Sequence, residues 1–248
     1  MPKGMSLHIG LNKYNLSTYK RDYGKYLSQL PNCHRDALAK QEVAQRFNFK
    51  NASFINEEAT AENMLTMIDL IAAELEYGDM FFLSFSGHGS RVADRNYDED
   101  DGYDETWCLY DRMVTDDELF EKWKRFRPGV RILVIADSCH SGTSIKNTDD
   151  FMNRPGGRFP AEKTGAVLAS CLLMSACQDK ESAFATPNLK YSLYTSWMLR
   201  ILKQYDFCES YRELHNRISA NMPANSRPNL FTFGPGGEQM IKKRPFKI

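Results

Sequence analysis

The sequence has no excess of charge of either sign and no long apolar run. Its 32 lysine and arginine residues balance 32 aspartate and glutamate residues. Domains that bind nucleic acid are usually basic, so this balance disfavours a nucleic-acid surface. No segment reaches the ~18 apolar residues that a membrane-spanning helix needs. Residues 1–10 lack the basic start and apolar core of a secretory signal. We therefore expect a cytoplasmic protein without a membrane or nucleic-acid partner.

Cysteine is also scarce and widely spaced. The six cysteines include no CxxC pair, whereas zinc modules and small disulfide scaffolds depend on closely spaced cysteines. Free thiols in a reducing compartment therefore fit the sequence better than disulfides. The chain contains no internal repeat, and its 248 residues are enough to bury the core of one domain. We therefore expect residues 1–248 to form a single domain.

Short apolar runs alternate with segments of helical periodicity along the chain. The runs that predict strands are 5–11, 53–55, 80–85, 130–136, 166–175 and 230–233. The segments that predict helices are 34–47, 61–75, 116–126, 191–204 and 207–222. Strands that alternate with helices usually pair in parallel and are covered by helices on both faces. The sequence therefore predicts an α/β fold, a three-layer α/β/α sandwich with a mostly parallel central sheet.

Two short polar segments follow two of these strands. His88 comes after the run 80–83, and Cys139 comes after the run 130–135. Open α/β sheets place their chemistry at the carboxyl ends of the strands. A cysteine nucleophile needs a base or an ion-pair partner, because the thiolate is the reactive form. We therefore predict that His88 and Cys139 form a catalytic pair. A zinc site made from these two residues and His140 is disfavoured, because catalytic zinc usually takes three well-spaced ligands.

The segments Ser86-Gly87-His88-Gly89 and Asp137-Ser138-Cys139-His140 resemble the dyad motifs of the caspase-like cysteine peptidases, and among them those of metacaspases and their bacterial relatives. The resemblance extends over most of the chain, because further matching segments lie at 7–12, 98–105, 175–179 and 228–231. It implies the caspase-like fold, with a large-subunit-like part at 1–142, a loop at 143–165 and a small-subunit-like part at 166–248. It also implies a monomer.

The resemblance implies roles for the residues of the dyad. His88 acts as general base and acid, and Cys139 attacks the peptide carbonyl to form a thioester that water then hydrolyses. The backbone N–H groups of Gly89 and Cys139 form the oxyanion hole. Donors fixed at a developing oxyanion are typically worth ~3–4 kcal/mol each.

The resemblance further implies an acidic pocket that accepts arginine or lysine before the scissile bond. Asp36 and Asp137 match its carboxylates, and Cys33 and Ser86 match its wall. Two buried carboxylates without a partner are costly, and a substrate guanidinium supplies the missing charge. The plainer alternatives are a helix N-terminal charge for Asp36 and a hydrogen bond to loop amides for Asp137.

The acidic run 98–105 has two interpretations. Runs of like charge are usually solvated loops, and the oxygen spacing here is not that of an EF-hand. The resemblance implies instead an activating calcium ion bound by Asp98, Asp100, Asp116 and Asp117. Many calcium-activated metacaspases have another aspartate seven residues after the nucleophile, where this chain has Lys146. A cation at that position weakens or abolishes calcium binding, and the chemistry itself requires no cofactor.

The sequence therefore predicts a cysteine endopeptidase whose substrates are proteins or peptides with Arg or Lys before the scissile bond. One alternative is a peptide ligase or transpeptidase that uses the same acyl-enzyme, and another is a caspase-fold module that binds partners without cleaving them. Self-cleavage within 143–165 is a further possibility, and an uncut chain is its alternative. The basic residues at which such cleavage would occur are Lys146, Arg154, Arg158 and Lys163.

Overall fold

A sheet of eight strands forms the centre of this computed structural model. The structure describes residues 1–19, 27–93, 102–140, 167–176, 189–204, 208–223, 226 and 228–248, with the backbone alone at 139, 140 and 204. The strands are β1 (Gly4–Gly10), β2 (Lys50–Ile55), β3 (Met80–Ala93), β4 (Tyr103–Cys108), β5 (Met113–Thr115), β6 (Arg131–His140), β7 (Ser170–Ser175) and β8 (Asn229–Phe233). The helices are α1 (Cys33–Arg46), α2 (Ala61–Glu74), α3 (Asp116–Trp123), α4 (Leu193–Gln204), α5 (Tyr211–Ser219) and α6 (Gly237–Ile241), with a 3₁₀ turn at Asn56–Glu58.

The sheet is parallel through its centre and antiparallel at its margins. The strand order is β2-β1-β3-β6-β7-β8, and the four pairs from β2 to β7 are parallel. Strand β8 is antiparallel to β7, and β4 pairs in antiparallel fashion with both the far end of β3 and β5. This topology confirms the predicted mostly parallel central sheet.

Helices cover both faces of the sheet, because side chains alternate between the faces along each strand. On one face Phe81, Leu83 and Phe85 of β3 pack in a core that includes α2 and α3. On the other face Phe82 of β3 and Leu133 of β6 pack in a second core that includes α1, α4, α5 and α6. The three-layer α/β/α arrangement is therefore confirmed.

Strands β3 and β6 are longer than the sequence predicts. The apolar runs end near residues 85 and 136, but the backbone stays paired to Ala93 in β3 and to His140 in β6. The prediction that His88 and Cys139 lie beyond the strand ends is therefore wrong, and both residues lie within strands. The reason is that β4 pairs with residues 89–93 of β3 and keeps this polar, glycine-containing segment extended.

Strands β4 and β5 are not predicted by the sequence analysis. Residues 103–105 belong to the acidic run that reads as a solvated loop, yet they open β4. The side chains of β4 alternate between buried and more exposed positions, which is the pattern of a strand with one covered face. The charged residues obscure that pattern, because Asp104 is itself buried.

Helix α1 lies unusually close to β1 at the carboxyl edge of the sheet. A Cβ atom at Gly10 would lie 2.7 Å from the Cys33 carbonyl oxygen and 2.8 Å from the Ala37 Cβ. The Asn12 side chain accepts a hydrogen bond of 2.8 Å from the N–H of His34. The first turn of α1 is therefore fixed at the edge where the sequence predicts the site.

Two predicted helix starts are confirmed by their caps. The Thr60 hydroxyl accepts a hydrogen bond of 3.2 Å from the N–H of Asn63 at the start of α2. Thr115 and Glu118 form a reciprocal capping box at the start of α3. In the described ranges, no helix combines the length and apolar character that crossing a bilayer requires.

Alanine substitution at two glycines with nearly the same φ angle can test the packing after the last strand. Gly234 and Gly102 have φ values of 74° and 73°, but only Gly234 is crowded. A Cβ there would lie 2.0 Å from the Ala169 carbonyl oxygen, whereas at Gly102 nothing lies within 4 Å. We expect Gly102→Ala to cost about 1–2 kcal/mol of unfolding free energy from the left-handed backbone alone. Gly234→Ala should cost a further 1–3 kcal/mol from overpacking. Equal losses in urea denaturation would contradict this explanation.

Candidate active site

The pairing of β3 with β6 brings the two predicted catalytic residues into one register position. The two strands pair in parallel over ten successive positions, from Met80 with Arg131 to Gly89 with His140. His88 is the direct partner of Cys139. Adjacent strands lie about 4.8 Å apart, so the two backbones are neighbours. Two residues earlier, Ser86 is the direct partner of Asp137.

Backbone and side-chain contacts fix His88 in place. Its side-chain Nε2 lies 2.8 Å from the Ser28 carbonyl oxygen. A carbonyl only accepts hydrogen bonds, so Nε2 carries the proton and Nδ1 carries the lone pair. Nδ1 is buried and has no hydrogen-bond partner among the described residues. The ring is therefore oriented with its basic nitrogen available to a reacting group.

Tyr14 supports the same histidine from the other side. Its hydroxyl oxygen accepts a hydrogen bond of 2.8 Å from the His88 backbone N–H, and the two ring centroids are 5.4 Å apart. Gly87 makes room for this contact, because a Cβ there would lie 3.2 Å from the Tyr14 hydroxyl and 2.9 Å from the Phe85 ring. Neither Tyr14 nor Ser28 is found by the sequence analysis.

The protonation state of His88 suits a general base. Burial lowers the pKa of His88 below its usual value, and the hydrogen bond to the Ser28 carbonyl opposes that effect only in part. The imidazole is therefore neutral at pH 7. Gly89, predicted to supply an oxyanion N–H, follows His88 in β3, where it pairs with His140 of β6 and Trp107 of β4.

The predicted pocket residues meet beneath α1 and the start of α4. Asp36 lies in the first turn of α1 and is buried, as are Ser86 and Asp137. The Asp36 Oδ1 accepts a hydrogen bond of 2.9 Å from the N–H of Ser192, and the Ser192 hydroxyl donates to the Asp137 Oδ2. The Cys33 thiol is buried one turn before Asp36 and is not part of a disulfide. The two predicted carboxylates are thereby brought together.

A buried lysine, absent from the sequence-based predictions, lies in the same cluster. The Lys40 Nζ is 3.3 Å from the Asp137 Oδ2 and 3.0 Å from the Ser86 Oγ. Its side chain is 0% exposed. The available signal was its spacing, since Lys40 follows Asp36 by four residues and so lies on the same face of α1. Lysines on helices are usually solvated, so the sequence alone gives little reason to place Lys40 in the core.

The charge of Asp36 is sensitive to these neighbours. Burial and the nearby Asp137 carboxylate raise the pKa of Asp36 to about 7, whereas Lys40 and the hydrogen bonds from Ser192 oppose the rise. Near neutral pH the Asp36 carboxyl is therefore distributed between its protonated and ionised forms. A cation that approaches it favours the ionised form.

The predicted calcium ligands are described only in part. Asp116 and Asp117 begin α3, and the Asp116 carboxylate accepts a hydrogen bond of 3.0 Å from the N–H of Asp117. Asp98, Asp100, Lys146 and the predicted cleavage sites in 143–165 lie outside the described residues. Within the part of the chain that is described, no three His, Cys, Asp or Glu side chains form a group able to hold a metal ion. The described residues alone therefore do not make a calcium site.

Comparison with known proteins decides the family. The family model described as "Caspase domain" matches residues 3–243. The chain belongs to the caspase family of cysteine peptidases. A Geobacter sulfurreducens protein of known crystal structure is similar over 100% of this chain and 99% of its own, with 34% identity and a TM-score of 0.79.

Metacaspases are among the curated proteins that this caspase-family chain is similar to. Metacaspase-1 of Plasmodium falciparum is 28% identical over 196 residues, which is 72% of this chain and 30% of the relative. Metacaspase-1B of Aspergillus fumigatus is 43% identical over 91 residues, 35% of this chain and 22% of the relative. The matched segments thus span only about a third or less of the length of these two relatives.

Substitution of two buried tyrosines can test whether Tyr14 positions His88. Tyr14 and Tyr211 are both buried, and the hydroxyl of each accepts a backbone N–H, from His88 and from Phe246 respectively. Replacement by phenylalanine leaves a buried N–H without its acceptor, so each variant should lose about 1–3 kcal/mol of unfolding free energy. Only Tyr14→Phe should also lower kcat, by about tenfold or more, because His88 is no longer held in position. Steady-state kinetics with a peptide substrate would measure this difference. Equal kcat values in the two variants would show that Tyr14 does not position His88.

Proposed function

We propose that this chain is a cysteine endopeptidase that cleaves peptide bonds after arginine or lysine. The observation that carries the proposal is the register of β3 and β6, in which His88 is the direct partner of Cys139. Nucleophilic catalysis by cysteine requires a base close to the thiol, and this register makes the two residues neighbours. Membership of the caspase family supports the same chemistry.

In the proposed reaction the His88 Nδ1 accepts the proton of the Cys139 thiol, and the thiolate attacks the carbonyl carbon of the substrate. The tetrahedral oxyanion is stabilised by the backbone N–H groups of Gly89 and Cys139. The imidazolium then gives its proton to the departing amine, which leaves a thioester on Cys139. Water hydrolyses this thioester, with His88 as its base. The hydrogen bond from Nε2 to Ser28 keeps Nδ1 available at each step.

The specificity follows from the charges of the pocket. Asp36 and Asp137 are buried carboxylates, and Lys40 supplies only one positive charge for the two of them. A guanidinium or ammonium group of the substrate would supply positive charge and hydrogen-bond donors. Arginine also presents donors in a planar fork that matches a carboxylate. A basic side chain is therefore the substrate group that best compensates this pocket.

The first test is hydrolysis of fluorogenic peptides that end in Arg, Lys, Asp or Asn. We expect cleavage after Arg and Lys, and at least a ~10³-fold lower kcat in Cys139→Ala and His88→Ala. His215 is a half-buried histidine of α5 outside the cluster described above, so His215→Ala is a control that should stay active. Cleavage after Asp or Asn would keep the dyad and refute the pocket. Full activity of Cys139→Ala would refute the dyad.

Two additions to this assay address the remaining alternatives. Calcium or a chelator in the buffer tests the predicted activation, which we expect to be weak because Lys146 replaces an acidic ligand. An added amine nucleophile distinguishes hydrolysis from peptide transfer, because a ligase would give the amide product instead of the free acid. A chain that binds peptides without either product would be a non-proteolytic module.

The raised pKa of Asp36 predicts a pH dependence that is specific to basic substrates. Below pH about 7 the carboxyl is mostly protonated, and above it the ionised form attracts a cation. The ratio of kcat/KM for an Arg peptide to that for a matched Gln peptide should therefore rise with pH through about 7. The ratio cancels the ionisation of Cys139 and His88, which affects both substrates. In Asp36→Asn the ratio should not vary with pH, and a persistent rise would assign the effect to another group.

A further inference from the structure

Lys40 is a charged residue that the proposed catalytic steps do not use, although it contacts two residues of the proposed pocket, Ser86 and Asp137. Fully buried lysines are rare, because the ammonium group loses its hydration. Here the Nζ compensates by donating to the Ser86 Oγ at 3.0 Å and pairing with the Asp137 Oδ2 at 3.3 Å. The pocket therefore contains a cation before any substrate arrives.

We propose that Lys40 determines specificity by occupying the Asp137 half of the acidic pocket, which leaves Asp36 as the carboxylate for a basic substrate side chain. This inference rests on the proposed peptidase function and deepens it. According to this inference, Lys40 sets how strongly the pocket prefers basic over neutral substrate side chains.

The hydrogen bonds of the two carboxylates support this division. The Asp137 Oδ2 accepts hydrogen bonds from the Lys40 ammonium, the Ser192 hydroxyl and the Thr195 hydroxyl, the last at 2.7 Å. Asp36 receives the Ser192 N–H at its Oδ1. Asp137 thus already has a cationic partner, whereas the Asp36 Oδ1 accepts its hydrogen bond from a neutral backbone amide.

The charge count gives the direction of the effect. A bound guanidinium favours the ionised form of both carboxylates. In that complex Asp36, Asp137 and Lys40 together carry a net charge of −1, and without Lys40 the two carboxylates carry −2. A substrate guanidinium is attracted by the carboxylates and repelled by the resident ammonium. Lys40 therefore stabilises the empty pocket and at the same time weakens its preference for basic side chains.

The deciding experiment compares Lys40→Met with Lys40→Arg. Methionine keeps a long apolar stem without the charge, and arginine keeps the charge. For each enzyme the measured quantity is the ratio of kcat/KM for the Arg peptide to that for the Gln peptide. We expect Lys40→Met to raise this ratio by about tenfold or more, and Lys40→Arg to stay near the wild-type ratio. A purely structural role would lower activity on both peptides alike, and an unchanged ratio in Lys40→Met would overturn the proposal.

A second variant decides the question if Lys40→Met does not fold. With Lys40 in place, Asp36→Asn should reduce the Arg-to-Gln ratio to about one, because Asp137 remains paired with the lysine. Retention of more than half of the wild-type ratio would overturn the proposal. Dissociation constants of both peptides for the Cys139→Ala chain, with and without each substitution, give the same ratio without turnover.

Failure of the proposed function gives a different result. A wild-type enzyme that cleaves only after neutral residues would refute the arginine and lysine specificity. If Lys40→Met then gains cleavage after Arg, the proposed role of Lys40 is supported even though the proposed specificity of the wild-type enzyme is wrong. If neither enzyme acts on Arg peptides and neither binds them as the Cys139→Ala chain, both proposals are overturned.

Discussion

The parallel register between β3 and β6 is the constraint on which the rest of the site depends. One pairing position joins His88 with Cys139, and the position two residues earlier joins Ser86 with Asp137. The period of a strand is two residues, so a register slip of one residue would separate both pairs at once. Ten successive pairs and a core on each face of the sheet oppose such a slip. The proposed dyad and the proposed pocket thus depend on the same strand register.

The face of the sheet beneath α1 is polar as well as buried, which is unusual for the centre of a sandwich. His8 of β1 contacts the Ser84 hydroxyl at 2.8 Å and the Ser6 hydroxyl at 3.0 Å. Burial, with a smaller contribution from Lys40, lowers the pKa of His8 to about 3, so this histidine is neutral. Buried polar groups are tolerated when they are hydrogen-bonded. Lys40, in contrast to His8, is a charged member of this buried layer, and Asp137 pairs with it.

The sequence predicts the part of this architecture that depends on apolar periodicity and on short motifs. The central strands and the helix that begins after Thr60 follow from such signals, as does the proximity of His88 and Cys139 along neighbouring strands. The extension of β3 past Gly87 does not, because it depends on pairing with β4 and not on apolar residues. The contact of His88 with Ser28 is also unpredictable, because a backbone carbonyl has no signature in the sequence. Lys40 is missed for a third reason, since only the folded structure shows that its neighbours are carboxylates instead of water.

The contacts of the pocket also bear on what cleavage of the segment 143–165 could achieve. The large-subunit-like and small-subunit-like parts are joined by the parallel pairing of β6 with β7. They are joined again where Ser192 and Thr195 of the second part donate to Asp36 and Asp137 of the first. Neither set of contacts depends on the covalent connection between the two parts. Cleavage of that connection would therefore not be needed to bring these residues together, since they are already bonded across the two parts.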